Sequence, residues 1–188
     1  VGFPIHRGLL ALGARPPEAL SVEALLAGLA SEEPATVLVV EGLTNTDNMG
    51  ACFRNAAALG AQAMLLDSTC CDPLYRRAIR VSAGCALTVP FGRAPSVELL
   101  QALKRHGFYT VALALDPDAL LLESCHRPAP RLAILLGSEG SGLRPKTVEG
   151  ADCCMTIPMA SGIDSLNVAT AGAVALFALR PDRSDAGL

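Results

Sequence analysis

The chain has 188 residues, 51% of them apolar, with no Trp, two Tyr and five Phe, and a formal net charge of −3. That length supports one compact domain with a short appendage, and the aliphatic, aromatic-poor composition points to a tightly packed α/β core. The acidity excludes a globally basic nucleic-acid binder, so any RNA or DNA role has to come from a local patch or a partner.

Seven cysteines, an odd number with no C-x-x-C spacing, favour neither a disulfide framework nor a metal site; a reducing, cytoplasmic setting is expected. No apolar run approaches the roughly 18 residues of a membrane span, and no cleavable signal is visible. The chain opens V-G-F-P-I-H-R-G without Met, which suggests a processed or trimmed form.

In chain order, residues 1–20 are turn-rich, and Ser21 caps a short helix over V-E-A-L-L. T-V-L-V-V-E (36–41) is a β-branched run suited to a strand buried on both faces. A loop of turn formers, 42–50, feeds a helix over 51–59 that stops at Gly60, and A-Q-A-M-L-L-D (61–67) is the next strand. This β-α-β cadence implies parallel strands. Residues 73–82 read as a helix carrying Arg76, Arg77 and Arg80, followed by a strand at 86–90, an amphipathic helix at 96–106 and a strand at 108–115. A Pro-rich loop with Asp116 and Arg127 leads to the strand R-L-A-I-L-L (131–136). Then come a Gly-rich turn at 137–143, a short helix near 145–149 and a last strand at 152–157. An apolar helix over 168–179 closes the pattern, with Asp164 or Ser165 as its expected cap. The fold class is α/β: a mostly parallel sheet with helices on both faces.

Gly137-Ser138-Glu139-Gly140-Ser141-Gly142 sits between a strand and a helix, the context of a nucleotide-binding loop, but it fits neither G-x-G-x-x-G nor a P-loop. Glu139 repels phosphate and suits a neutral or cationic ligand. A Gly-rich turn alone is more often only a turn. Arg54 and Asn55 are the strongly polar side chains on an otherwise apolar helix. Arg54 has the planar fork that grips a phosphate, although an exposed helix Arg is common. The Arg76, Arg77 and Arg80 cluster reads almost equally well as a solvated face or as an RNA backbone contact. No G-x-S-x-G elbow supports a Ser/His/Asp hydrolase.

Three motifs together are more specific than any one. N-x-G-x-x-x-R-x-A at 48–56, L-L-G-S-E-G-S-G-L at 135–143 and I-P-M-x-x-G-x-D-S-L-N-V-A at 157–169 resemble, in order and spacing, motifs 1 to 3 of the SpoU (TrmH-like) RNA 2′-O-ribose methyltransferases of the SPOUT superfamily. D-P-L-Y-R-R-A-I-R-V-S-A-G-C (72–85) resembles the connection between motifs 1 and 2. The opening residues resemble the join to a small L30e-like RNA-binding domain. The resemblance thus implies a linker and join at 1–33, a catalytic domain at 34–182 and a tail at 183–188.

It further implies a C-terminal trefoil knot, a homodimer, S-adenosylmethionine as cofactor held by Gly137, Ile157 and Leu166, and methyl transfer to a ribose 2′-hydroxyl of ribosomal or transfer RNA, ribosomal RNA being favoured. Arg54, Asn48, Glu139, Ser165 and Asn167 would surround the reaction. Because an Arg keeps its proton to about pH 12, Arg54 is better cast as a ligand for the target phosphate and developing alkoxide than as a base. Ser165 and Asn167 would orient the hydroxyl, and Glu139 would orient Arg54 or face the sulfonium. The rivals are a knotted RNA-binding protein without catalysis and an unrelated nucleotide-binding α/β domain.

Overall fold

The structure is a computed structural model that describes residues 13–14, 20–29, 34–163 and 165–181. Most of the expected linker, the tail at 183–188 and the cap candidate Asp164 lie outside the described residues. The first described helix, α1 (Val22–Ala27), starts where expected: Ser21 caps it by accepting a hydrogen bond from the Ala24 amide at 3.1 Å.

Seven strands form one sheet among the described residues: β1 (Ala35–Val40), β2 (Ala63–Asp67), β3 (Phe91–Ala94), β4 (Tyr109–Leu113), β5 (Leu120–Leu121), β6 (Arg131–Leu136) and β7 (Cys153–Thr156). Their order is β3-β2-β1-β6-β4-β7-β5, and every pairing is parallel. The central strands are buried along their length, so they are read as continuous aliphatic runs rather than as alternating ones.

Successive side chains leave a strand on opposite faces, and two cores follow. Leu38, Val40, Ile134 and Leu136 face α2 (Thr46–Ala58) and α6 (Val168–Ala178), with α3 (Arg76–Val81) packed on α2. Val37, Val39, Ala133 and Leu135 face α1 and α4 (Ser96–Arg105), beside the short α5 (Pro145–Gly150). Gly50 sets the α2–α3 approach: a Cβ there would stand 2.6 Å from the Ala78 carbonyl oxygen and 2.9 Å from the Val81 Cβ.

Four local expectations are corrected. Helix α2 begins at Thr46, five residues early, because the Asn45 side chain accepts from the Asp47 and Asn48 amides and converts the expected loop into a capped first turn. Residues 86–90 are not a strand. Ala83 and Gly84 both take positive φ and turn the chain into a single 3-10 turn at Cys85–Leu87, so β3 starts only after Pro90. The Pro-rich loop hides β5, a two-residue pairing with β7 too short to leave a sequence pattern. Finally, α6 is capped by Asn167, whose Oδ1 accepts from the Ala169 and Thr170 amides, rather than by Asp164 or Ser165.

The register aligns the carboxyl ends of the central strands: Val40 is level with Leu136, Leu136 with Leu113, and Leu113 with Met155. The loops after these strands therefore open on one edge of the sheet, where α/β folds hold ligands.

Candidate active site

The loops after β4, β6 and β7, with the approach to α6, enclose an open cleft of about 650 Å³. Its walls are Leu113–Asp116, Leu136–Leu143, Thr156, Ile157 and Met159, then Ser165, Leu166, Val168 and Ala171, with Pro145, Val148 and Glu149 of α5 at one side. The volume suits a ligand of nucleoside size. Three carboxylates, Asp116, Glu139 and Glu149, border it, and no Lys, Arg or His does so among the described residues. Such a field disfavours a phosphate and favours a neutral or cationic group.

The wall after β6 is a closed turn. Gly142, at φ +66°, donates its amide to the Ser138 carbonyl at 3.0 Å, and the Ser138 and Ser141 hydroxyls lie 2.9 Å apart. Gly137 lets the chain fold back this tightly. A Cβ on it would fall 2.0 Å from the Gly142 carbonyl carbon and 2.1 Å from the Leu143 nitrogen.

What anchors this wall was not foreseen. Glu41 and Asp67, 3% and 1% exposed at the ends of β1 and β2, hold Arg144, the residue just after the turn. Glu41 accepts from the Arg144 amide at 2.7 Å and from the Thr147 hydroxyl at 2.6 Å. Asp67 accepts from the Arg144 guanidinium and from Ser96, each at 3.0 Å, and from the Gly42 and Thr69 amides. Burial pushes the Asp67 carboxyl up, but Thr69, Gly42 and Arg144 together outweigh it and bring it down to about 2. Buried charges of this kind need partners. The acids that end the first two strand patterns, Glu41 and Asp67, were the available signal, though not their partners.

Of the expected site residues, Gly137, Ile157, Leu166, Glu139 and Ser165 line the cleft. Asn48 and Asn167 stand beside it and are joined to it. The Asn167 Nδ2 donates to the Asn48 Oδ1 at 2.9 Å and to the Glu139 Oε1 at 2.8 Å, while its Oδ1 caps α6. One side chain thus links α2, the turn after β6 and α6. A second link follows on the same face of α2: Asn55, seven residues after Asn48, donates from Nδ2 to the Ala169 carbonyl at 2.7 Å. Arg54 is exposed, does not line the cleft, and has no hydrogen-bond or ion-pair partner among the described residues. Of the two parts expected of Glu139, orienting Arg54 or facing the sulfonium, no hydrogen bond or ion pair to Arg54 supports the first; Glu139 lines the cleft and accepts from Asn167.

The comparisons agree with this architecture. The sequence model described as the SpoU rRNA Methylase family matches residues 35–177. An uncharacterised tRNA/rRNA methyltransferase of Mycobacterium tuberculosis is 42% identical over 180 residues, covering 94% of this chain and 60% of that protein. A 23S rRNA (guanosine-2′-O-)-methyltransferase, RlmB, of Vibrio cholerae is 36% identical over 173 residues, covering 92% of this chain and 69% of the relative. The chain thus spans from 60% to 69% of the length of these two relatives.

Among solved structures, an RNA 2′-O ribose methyltransferase superimposes with a TM-score of 0.72 at 33% identity, over 80% of this chain and 57% of that one. An AdoMet-bound rRNA methyltransferase from Sinorhizobium meliloti superimposes with a TM-score of 0.78 at 24% identity, over 86% of this chain and 60% of that one, a likeness of fold. With Asn48, Glu139 and Asn167 joined at one sheet edge and the family match running from β1 to α6, the chain belongs to the SpoU rRNA methylase family.

Proposed function

We propose that the chain transfers a methyl group from S-adenosylmethionine to a ribose 2′-hydroxyl of RNA, with ribosomal RNA favoured over transfer RNA. The observation that carries this reading is the Asn48–Asn167–Glu139 link, which brings residues of all three motifs to the rim of a nucleoside-sized cleft that no cation borders among the described residues. The Vibrio cholerae relative, named for 23S rRNA, favours ribosomal RNA.

The cleft fits the cofactor's chemistry. Ile157 and Leu166 offer apolar surface to an adenosine, the tight turn at Gly137 brings backbone close, and Asp116, Glu139 and Glu149 suit a sulfonium. When bound, S-adenosylmethionine supplies an electrophilic methyl on a positively charged sulfur. The remaining steps belong to the chain. Arg54, exposed and without a partner among the described residues, would take the target phosphate and steady negative charge developing on the ribose oxygen. Ser165, at the cleft wall, offers a hydroxyl to orient the nucleophile.

Asn167 takes a different part from the one its motif position first suggests. Both of its Nδ2 hydrogens and its Oδ1 are engaged, so it positions Glu139 and α6 instead of orienting the ribose hydroxyl itself.

The reading includes a homodimer and a trefoil knot. The exposed Val174 and Phe177 of α6, at 39% and 58%, support an apolar interface. The return of α6 onto α2 and β6 after β7 supports the knot. With such RNA as substrate, the site of action is the cytoplasm. The three bordering carboxylates, with no cation beside them among the described residues, favour this reading over a phosphate-bearing nucleotide ligand.

Titration calorimetry with S-adenosylhomocysteine tests the reading. Binding is expected for the wild-type chain and lost in Leu166→Arg. A folded wild-type chain that binds none overturns it.

A further inference from the structure

The geometry points to the exposed strip of α2 and the outer face of α3 as the surface on which the RNA backbone lies, with Arg54, Arg76 and Arg80 as phosphate ligands and Tyr75 as a base-stacking platform. This rests on the proposed RNA substrate, but names a surface outside the cleft.

On a helix, residues seven apart share a face and lie about 10 Å apart along the axis. Asp47 and Arg54 are so related on α2, and Gly50, between them in sequence, packs on Ala78 and Val81 of α3. Helix α3 is therefore held beside the strip that carries Arg54. The register is fixed at one end by Asp47, whose two carboxylate oxygens accept from Nε and Nη2 of Arg77, each at 2.5 Å.

That pair spends one of the four arginines. Arg76 and Arg80, one turn apart on α3 and opposite the buried Ala78, are exposed, as is Arg54, and none of the three has a hydrogen-bond or ion-pair partner among the described residues. Asp47 is engaged by Arg77, and Asp72 accepts from the Leu74 amide at 2.9 Å. Exposed guanidiniums without a partner among the described residues, on a chain of net charge −3, make a local positive field, which is the complement of a polyphosphate backbone. Tyr75, directly before α3, is 52% exposed, and an exposed ring amid arginines is the arrangement that stacks an unpaired base. Helix α3 packs along α2, so a strand lying across α3 continues onto the helix that carries Arg54.

The test is fluorescence anisotropy with a fluorescein-labelled RNA stem-loop, titrated at several salt concentrations, beside calorimetry with S-adenosylhomocysteine. In Arg76→Gln/Arg80→Gln the RNA Kd rises and the slope of log K against log salt becomes shallower by about 1.4 to 1.8, the value for two lost phosphate contacts. The S-adenosylhomocysteine affinity stays as in wild type. Tyr75→Ala weakens RNA binding about ten-fold with the salt slope unchanged, and Tyr75→Phe restores it. An unchanged salt slope in the double variant overturns the inference. If wild type binds RNA through these arginines but binds no S-adenosylhomocysteine, the surface stands and the methyl-transfer reading falls.

Discussion

Asn167 and Asn48 are joined side chain to side chain, Nδ2 to Oδ1 at 2.9 Å, across 119 residues of chain. The same nitrogen reaches Glu139, and the oxygen caps α6. Asn167→Asp separates these duties, because Asp caps a helix as well as Asn does but cannot donate to either partner. The expected outcome is a melting temperature close to wild type, with a single-turnover methyl-transfer rate down about 100-fold from the misplaced Glu139. A rate within a few-fold of wild type would show that the link does not matter for chemistry.

Gly137→Ala forces the chain apart where a Cβ would meet Leu143 at 2.1 Å. Overpacking of this kind costs about 1–3 kcal/mol, and here the strain falls on the cleft wall. Urea unfolding should report the destabilisation, and calorimetry a loss of S-adenosylhomocysteine binding. Gly140→Ala, whose Cβ would meet nothing within 4 Å, is the matched control and should bind.

The Asp67 carboxyl, near 2 when folded against an ordinary 3.8, makes stability depend on pH. Its folded value lies below its unfolded one, so its contribution is full above pH 3.8 and disappears as pH falls toward 2. The shift corresponds to about 2 kcal/mol. Between the two ends of that window the unfolding free energy from urea titration should fall by that much more in wild type than in Asp67→Asn. Equal losses would remove Asp67 from the acid transition.

Burial pushes the Cys52 thiol up to about 12 and raises those of Cys70, Cys71, Cys153 and Cys154. Since the thiolate is the nucleophile, Cys52 should resist iodoacetamide at pH 8 until the chain unfolds. Mass spectrometry of native and urea-treated protein checks this; native labelling of Cys52 would contradict the packing of α2.

The sheet was legible because buried parallel strands are written as aliphatic runs: T-V-L-V-V-E and R-L-A-I-L-L fall within a residue of β1 and β6. The start of α2 was not, because a side chain decided it. T-N-T-D-N reads as a loop until Asn45 is seen to cap Asp47 and Asn48. The cap of α6 was hidden in the same way among three short polar residues. The motif positions brought Gly137, Ile157, Leu166, Glu139 and Ser165 to one cleft. The Glu41–Arg144–Asp67 anchor was not legible, because partners from the ends of β1 and β2 and from the turn after β6 meet only when the sheet is assembled.

The place of β6 bears on how the molecule is made. Residues 131–136 are synthesised after β1 to β5, yet they lie between β1 and β4 at the middle of the sheet. Until they leave the ribosome, β1 keeps a bare edge of aliphatic residues whose backbone groups await a partner, and β4 has no neighbour. Unpaired edges of this sort recruit other chains. The nascent protein is thus a three-stranded sheet, β3-β2-β1, and an unpaired β4 waiting for a shared keystone, and the bare edge of β1 is covered only when that late segment slots in.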